Sequence, residues 1–218
     1  MYKLYYAPGA ASFAVHWMLI EIGADFDVEL VDLATQAQKS PEYLQINPLG
    51  LVPTLMVDRA PYSQTAALLI LLTERHPEAG LAPLPGTPAR GTYLQLMLYL
   101  ANTLMPAFRA WFYPQDFGDA ERVNEVKGNA KARIEAAIDH LDACLSDRHS
   151  YFLGEEFSTV DILATMLARW SRNMPKPADR WPALGPYLDR MRKRPALRSV
   201  HEREGLTDWI DLAQVGAG

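Results

Sequence analysis

"KLYYAPGAASFAVHWMLIEIGADFDVELV", residues 3–31, changes its periodicity twice. Lys3–Tyr6 is a short run of strand formers that stops at Pro8-Gly9. Ser12–Gly23 reads as a helix closed by Gly23, and Phe26–Val31 as a second strand. A strand, a crossover helix and a strand favour a parallel pair. The first helix begins directly after a Pro-Gly turn, and a helix N-terminus offers unpaired N–H groups and partial positive charge. An anion site at that turn is the first functional expectation.

Outward from this stretch, "KSPEYL" suggests a short helical turn. "VPTLMVD" and "APYS" read as two strands joined near Asp58-Arg59, and "QTAALLILLTERH" as a helix ending before Pro77. The hairpin adds antiparallel strands to the sheet. Between His76 and Arg90, four prolines and two glycines mark a boundary segment. Beyond it the pattern is helical. "ARGTYLQLMLYLANTLMPAFRAWF" forms one long helix interrupted or kinked at Pro106. The segment from Asp119 to Ser146 follows, with Val126, Ile134, Ile138, Leu141 and Leu145 at helical spacing. Three more helices come from "STVDILATMLARWS", "PALGPYLDRMRKR" and "PALRSVHERE". The expected class is an α/β domain over 1–76, a linker over 77–89 and an all-helical domain over 90–218.

Bulk composition narrows the function. The 218 residues are 49% apolar and 22% charged with a net charge of −5, which argues against nucleic acid as a partner. A single cysteine, Cys144, excludes an internal disulfide and fits a reducing, cytoplasmic compartment. No apolar run is long enough to span a bilayer, and no signal peptide is visible. The glycine-rich nucleotide motifs, the H-E-x-x-H zinc motif and the C-x-x-C redox motif are all missing, and the histidines lack metal-ligand spacing, so no metal is expected.

Three features remain: the Pro8–Ser12 turn, "INPLGLVPTL" with Pro53 just before a strand, and "YSQTAALL", where Gln64 and Thr65 open a helix. Each has a plain reading as cap or turn. Taken in this order on a β-α-β-β-β-α pattern, two helix N-termini and a turn before a strand converge on one cleft.

With "YFLGEEFSTVDILATMLARW", these segments resemble a cytosolic glutathione transferase over essentially the whole chain, most specifically in the NP-x-G-x-VP-x-L and F-S-x-x-D-I segments. The resemblance implies a thioredoxin-like N-terminal domain, a C-terminal helical bundle, a homodimer, glutathione as co-substrate, a role in detoxification, and a cis Val52-Pro53 bond. It further implies that the backbone at Leu51, Val52 and Pro53 pairs with the cysteinyl part of glutathione. Gln64 and Thr65 would take the γ-glutamyl end at a helix N-terminus, and Gln38 or Lys39 the glycyl carboxylate. Ser158 and Asp161 match the family's N-capping box. Ala11, Met105, Phe108, Arg109, Phe112 and Trp170 would line the pocket for a hydrophobic electrophile, with Arg109 a charge among aromatics that could pair with a carboxylate or bind an anionic substrate.

A free thiol has a pKa near ~8.5, and lowering it by ~2 takes about 2.7 kcal/mol of preference for the anion. One charge-assisted hydrogen bond at roughly 1.5–3 kcal/mol plus a helix N-terminus at about 0.3–1 kcal/mol suffices. Ser12 is the first choice for the hydroxyl and Tyr6 its competitor, with no side-chain catalyst as the third possibility. The bacterial members most resembled commonly carry cysteine at the place of Ala11 and often histidine near Met105, so no mixed disulfide with an enzyme cysteine is available here. Alternative functions are a glutathione-dependent isomerase or dehalogenase, or a non-catalytic binding protein on the same scaffold.

Overall fold

The computed structural model describes residues 1–145 and 149–210. Residues 146–148 and 211–218, including the expected helix end at Ser146, lie outside the described residues. The chain divides into two compact units, Met1–Leu81 together with the chain from Arg190 onward, and Ala82–Asp189.

In the first unit, strands β1 (Tyr2–Tyr6), β2 (Phe26–Leu30), β3 (Thr54–Val57) and β4 (Ala60–Ser63) form one sheet in the order β2-β1-β3-β4. β1 and β2 are parallel, joined by helix α1 (Ser12–Glu21); β3 runs antiparallel to β1 and to β4. The β3–β4 turn places Asp58 and Arg59 both at positive φ, the twist a two-residue hairpin requires. Every residue from Ser12 to Leu19 is buried, which explains why α1 is apolar almost all round rather than striped. It packs against β1, helix α3 (Thr65–Arg75) and helix α9 (Pro195–Arg203). The last helix among the described residues thus clusters with the first unit, not with the helices that precede it. Helix α2 (Pro41–Ile46) is capped by Ser40, whose Oγ accepts the Tyr43 N–H at 3.2 Å.

The second unit contains α4 (Pro88–Tyr99), α5 (Met105–Phe112), α6 (Val123–Leu145) and α7 (Thr159–Trp170), with α8 (Leu184–Met191) following. The expected interruption at Pro106 is present, but the distortion lies ahead of it. Leu100–Leu104 is a π turn in which the Met105 N–H reaches back to the Leu100 carbonyl. Pro106 brings no N–H to continue an α-helical ladder, so the turn before it widens. Asp161, fully buried, accepts from the N–H groups of Phe152 (3.1 Å) and Ser158 (2.9 Å) and from the hydroxyls of Ser158 (3.0 Å) and Tyr187 (3.1 Å). It anchors the start of α7. Burial outweighs these donors and pushes its carboxyl up to about 6. Among the described residues no helix is long and apolar enough to cross a membrane.

Candidate functional site

The strand registers bring three turns to one end of the sheet. Thr54, the first residue of β3, pairs with Tyr5 on one side and Ser63 on the other. The loop before β3, which holds Val52-Pro53, therefore stands between the end of β1 and the start of α3. A side-chain bond ties the outer two turns together: Thr65 Oγ1 donates to the Ala11 carbonyl at 3.2 Å, across 54 positions of sequence.

At the first turn, Ser12 is completely buried. Its hydroxyl accepts the Ala7 N–H and donates to the Ala7 carbonyl, both at 3.1 Å. The hydroxyl expected to donate to a sulfur anion thus closes its own turn in this structure. The Gly9 N–H donates to Glu204 Oε2 at 2.8 Å, and Glu204 Oε1 meets His16 Nδ1 at 2.8 Å. At the helix start, the N–H groups of Ala11 and Ser12 have no hydrogen bond among the described residues, and no side chain caps α1. Tyr6 ends β1 half-buried, its ring edge-on to His16 at 5.5 Å. Burial first, and the nearby Glu204 charge second, raise its phenol pKa, so it holds its proton.

The loop before β3 is held from beneath. Asn47 Nδ2 donates to the Leu51 carbonyl (2.9 Å) and to Thr54 Oγ1 (3.0 Å). The Tyr43 hydroxyl bonds the same two groups, each at 2.9 Å. The Val52-Pro53 bond is cis. Val52 itself, half-buried against the Tyr5–Tyr43 cluster, makes no main-chain hydrogen bond among the described residues, so its N–H and C=O have no partner there. Lys39 Nζ donates to the Leu49 carbonyl at 3.3 Å, and Gln38 Oε1 is buried without a partner. Both residues crowd Gly50, where a Cβ would lie 2.8 Å from the Gln38 carbonyl and from Lys39 Nζ. With its φ of +59°, that position takes only glycine.

At the third turn Gln64 is exposed and adopts a φ of 74° without capping α3 by its side chain. The first main-chain bond of the helix runs from the Leu68 N–H to the Gln64 carbonyl at 2.9 Å. The N–H groups of Thr65, Ala66 and Ala67, at the start of an eleven-residue helix, make no hydrogen bond among the described residues, an arrangement suited to a carboxylate.

In the second unit, Phe108 and Phe112 stack at 6.0 Å, and the Trp170 ring meets them edge-on at 5.7 and 6.0 Å. Phe108 is buried whereas Phe112 is 44% exposed, so the cluster has an open side. Met105 starts α5 half-buried, and Arg109 pairs with Asp116. Ala11, expected beside these residues, belongs to the first unit. Among the described residues no cluster of three or more metal-ligating side chains occurs.

Sequence reasoning missed Glu204, Tyr43, Asn47 and Thr54, and gave His16 no functional role. Asn47 carried a usable signal, standing directly before a Pro-containing loop as a side chain able to bond backbone. Glu204 carried none, since 195 positions separate it from the Gly9 N–H that it accepts.

The sequence matches two family descriptions, Glutathione S-transferase, N-terminal domain, over residues 10–75 and Glutathione S-transferase, C-terminal domain, over residues 124–212. It is 27% identical to glutathione S-transferase GstA of Escherichia coli O157:H7, covering 94% of this chain and 99% of that one. A beta class glutathione S-transferase of Sphingomonas chungbukensis is 32% identical, with a TM-score of 0.81 and coverage of 94% and 99%. A sphingomonad glutathione S-transferase complexed with glutathione is 31% identical, with a TM-score of 0.82 and the same coverage. The sheet order and the two matched domains make this chain a member of the glutathione S-transferase family.

Proposed function

We propose that the chain binds glutathione across the three turns and transfers its sulfur to hydrophobic electrophiles. The observation that carries this reading is the Thr65–Ala11 bond, which sets two uncapped helix starts on either side of the unpaired Val52 backbone. The cysteinyl backbone pairs with Val52 beside Leu51 and Pro53. The γ-glutamyl carboxylate sits at the N–H groups that follow Gln64, with Thr65 fixing that helix start. Gln38 and Lys39 stand toward the glycyl end. A sphingomonad relative complexed with glutathione supports glutathione as the ligand.

The thiolate is held by the start of α1, through the Ala11 and Ser12 N–H groups and the helix dipole. Ser12 builds that turn with its hydroxyl. Tyr6, a protonated phenol at the end of β1, is the side chain with a donor to offer a sulfur anion. Met105, Phe108, Arg109, Phe112 and Trp170 receive the electrophile. In this reading the glutathione-binding part, expected over 1–76, also draws on the chain from Arg190 onward, and the second substrate falls to the helices between the expected 77–89 linker and Asp189. A cytoplasmic homodimer with a detoxifying role completes the reading.

Three measurements test it. Millimolar glutathione should raise the melting temperature saturably, and conjugation of a chlorodinitrobenzene should follow. Tyr6→Phe should lower kcat by about tenfold, one charge-assisted hydrogen bond, with glutathione affinity kept. Affinity without conjugation of any electrophile would favour the non-catalytic alternative, and no affinity would end the proposal.

A further inference from the structure

The face of α5 proposed to receive the electrophile carries one full charge among aromatic rings, and that charge is compensated within the same unit. Arg109 donates through Nη2 to Asp116 Oδ2, and its guanidinium carbon lies 4.1 Å from the Tyr113 ring centroid. The chain after α5 is shaped to make this clasp. The Tyr113 N–H closes the helix on the Arg109 carbonyl at 2.9 Å, the Asp116 N–H donates to the Tyr113 carbonyl at 3.0 Å, and the Phe117 N–H to the Pro114 carbonyl at 3.1 Å. Pro114 is buried and anchors the turn that returns the Asp116 carboxylate onto the guanidinium. Arg109 follows Phe108 and precedes Phe112 by three positions, a spacing that makes neighbours of side chains on one helix. The clasp therefore borders the Phe108–Phe112–Trp170 cluster.

We infer that Asp116 is a specificity determinant: by engaging Arg109, it makes this face select uncharged aromatic electrophiles over anionic ones. The inference rests on the reading that α5 receives the second substrate. A free guanidinium beside aromatic rings is a receptor for carboxylates. With Asp116 in place, an electrophile bearing a carboxylate must displace that side chain or bring a second negative charge beside it, which is selection by repulsion. The two side chains are 43% and 39% exposed, so salt screens the effect.

The test compares Asp116→Asn with the parent, using glutathione and two probes, a neutral chlorodinitrobenzene and an anionic chloronitrobenzoate. The ratio of kcat/KM, anionic over neutral, should rise roughly fivefold, the size of one uncompensated surface charge pair. The gain should shrink with added salt and vanish when Arg109→Ala is combined with Asp116→Asn. A ratio unchanged within about twofold, or raised equally in the combined variant, overturns the inference. Asp116→Ser serves as a second variant with the same expectation. If the parent conjugates neither probe, the transferase reading fails by itself. Quenching of tryptophan fluorescence by the chloronitrobenzoate then decides the inference, tightening in Asp116→Asn if it holds and unchanged if it does not.

Discussion

Ser12→Ala separates two roles for one hydroxyl. The side chain makes two bonds of 3.1 Å to Ala7, which is 3% exposed. Without it the Ala7 carbonyl keeps the Ala10 N–H at 3.1 Å, whereas the Ala7 N–H has no other partner among the described residues. An orphaned buried donor costs about 1–3 kcal/mol and the second lost bond about 0.5–1.5 kcal/mol, together about 1.5–4.5 kcal/mol. For a chain of this size that is a fall in melting temperature of roughly 5–15 °C. Calorimetry gives the stability, and conjugation well below the transition, at saturating glutathione, gives the chemistry. A hydroxyl that builds the turn predicts a large loss of stability with kcat within about tenfold of the parent. A variant as stable as the parent but slower by about a hundredfold would show that the hydroxyl serves the sulfur directly, and the structural assignment would be refuted.

Thr65→Val keeps the shape of the side chain and removes the bond to Ala11. Glutathione affinity, read by calorimetric titration, should weaken about fivefold, equivalent to about 1 kcal/mol, with little change in melting temperature. Glu204→Ala leaves the Gly9 N–H and His16 Nδ1 without their carboxylate and should cost about 3 kcal/mol in denaturant unfolding. Removing that charge should also lower the Tyr6 pKa, observable as an earlier phenolate absorbance rise. For Asp161 the folded carboxyl titrates at about 6, above its ordinary 3.8, so the folded state binds the proton more tightly. Its contribution to stability is therefore greatest below the unfolded value and declines as pH rises through that window. The stability difference between the parent and Asp161→Asn should shrink from acid to neutral pH. A difference that widens instead contradicts the direction of the shift.

The elements were legible where local chemistry alone decides them. Pro8-Gly9, Gly23 and the Asp58-Arg59 turn punctuate the strands and α1. Ser158 and Asp161 mark the start of α7, and Asp161 reaches back to the Ser158 N–H. Pro106 announced a disturbance but not its form, because widening the preceding turn rather than kinking depends on how Leu100 and Leu104 are buried. The candidate site was legible as three turns, since each has a cap-like or proline signature. What the turns do to one another was not. Whether the Ser12 hydroxyl points outward or back to Ala7, and whether Gly9 meets water or Glu204, depends on tertiary contacts that no periodicity encodes. Arg109 stood out as a charge among aromatics, yet its partner follows from a turn geometry that composition does not specify.

The most direct measurement is the structure of this chain with glutathione bound. Main-chain hydrogen bonds should run in both directions between Val52 and the cysteinyl residue, the γ-glutamyl carboxylate should lie on the Thr65–Ala67 N–H groups, and the sulfur should face Ala11 and Ser12. Glutathione seated elsewhere, with the Val52 edge open and the starts of α1 and α3 unoccupied, would contradict the account.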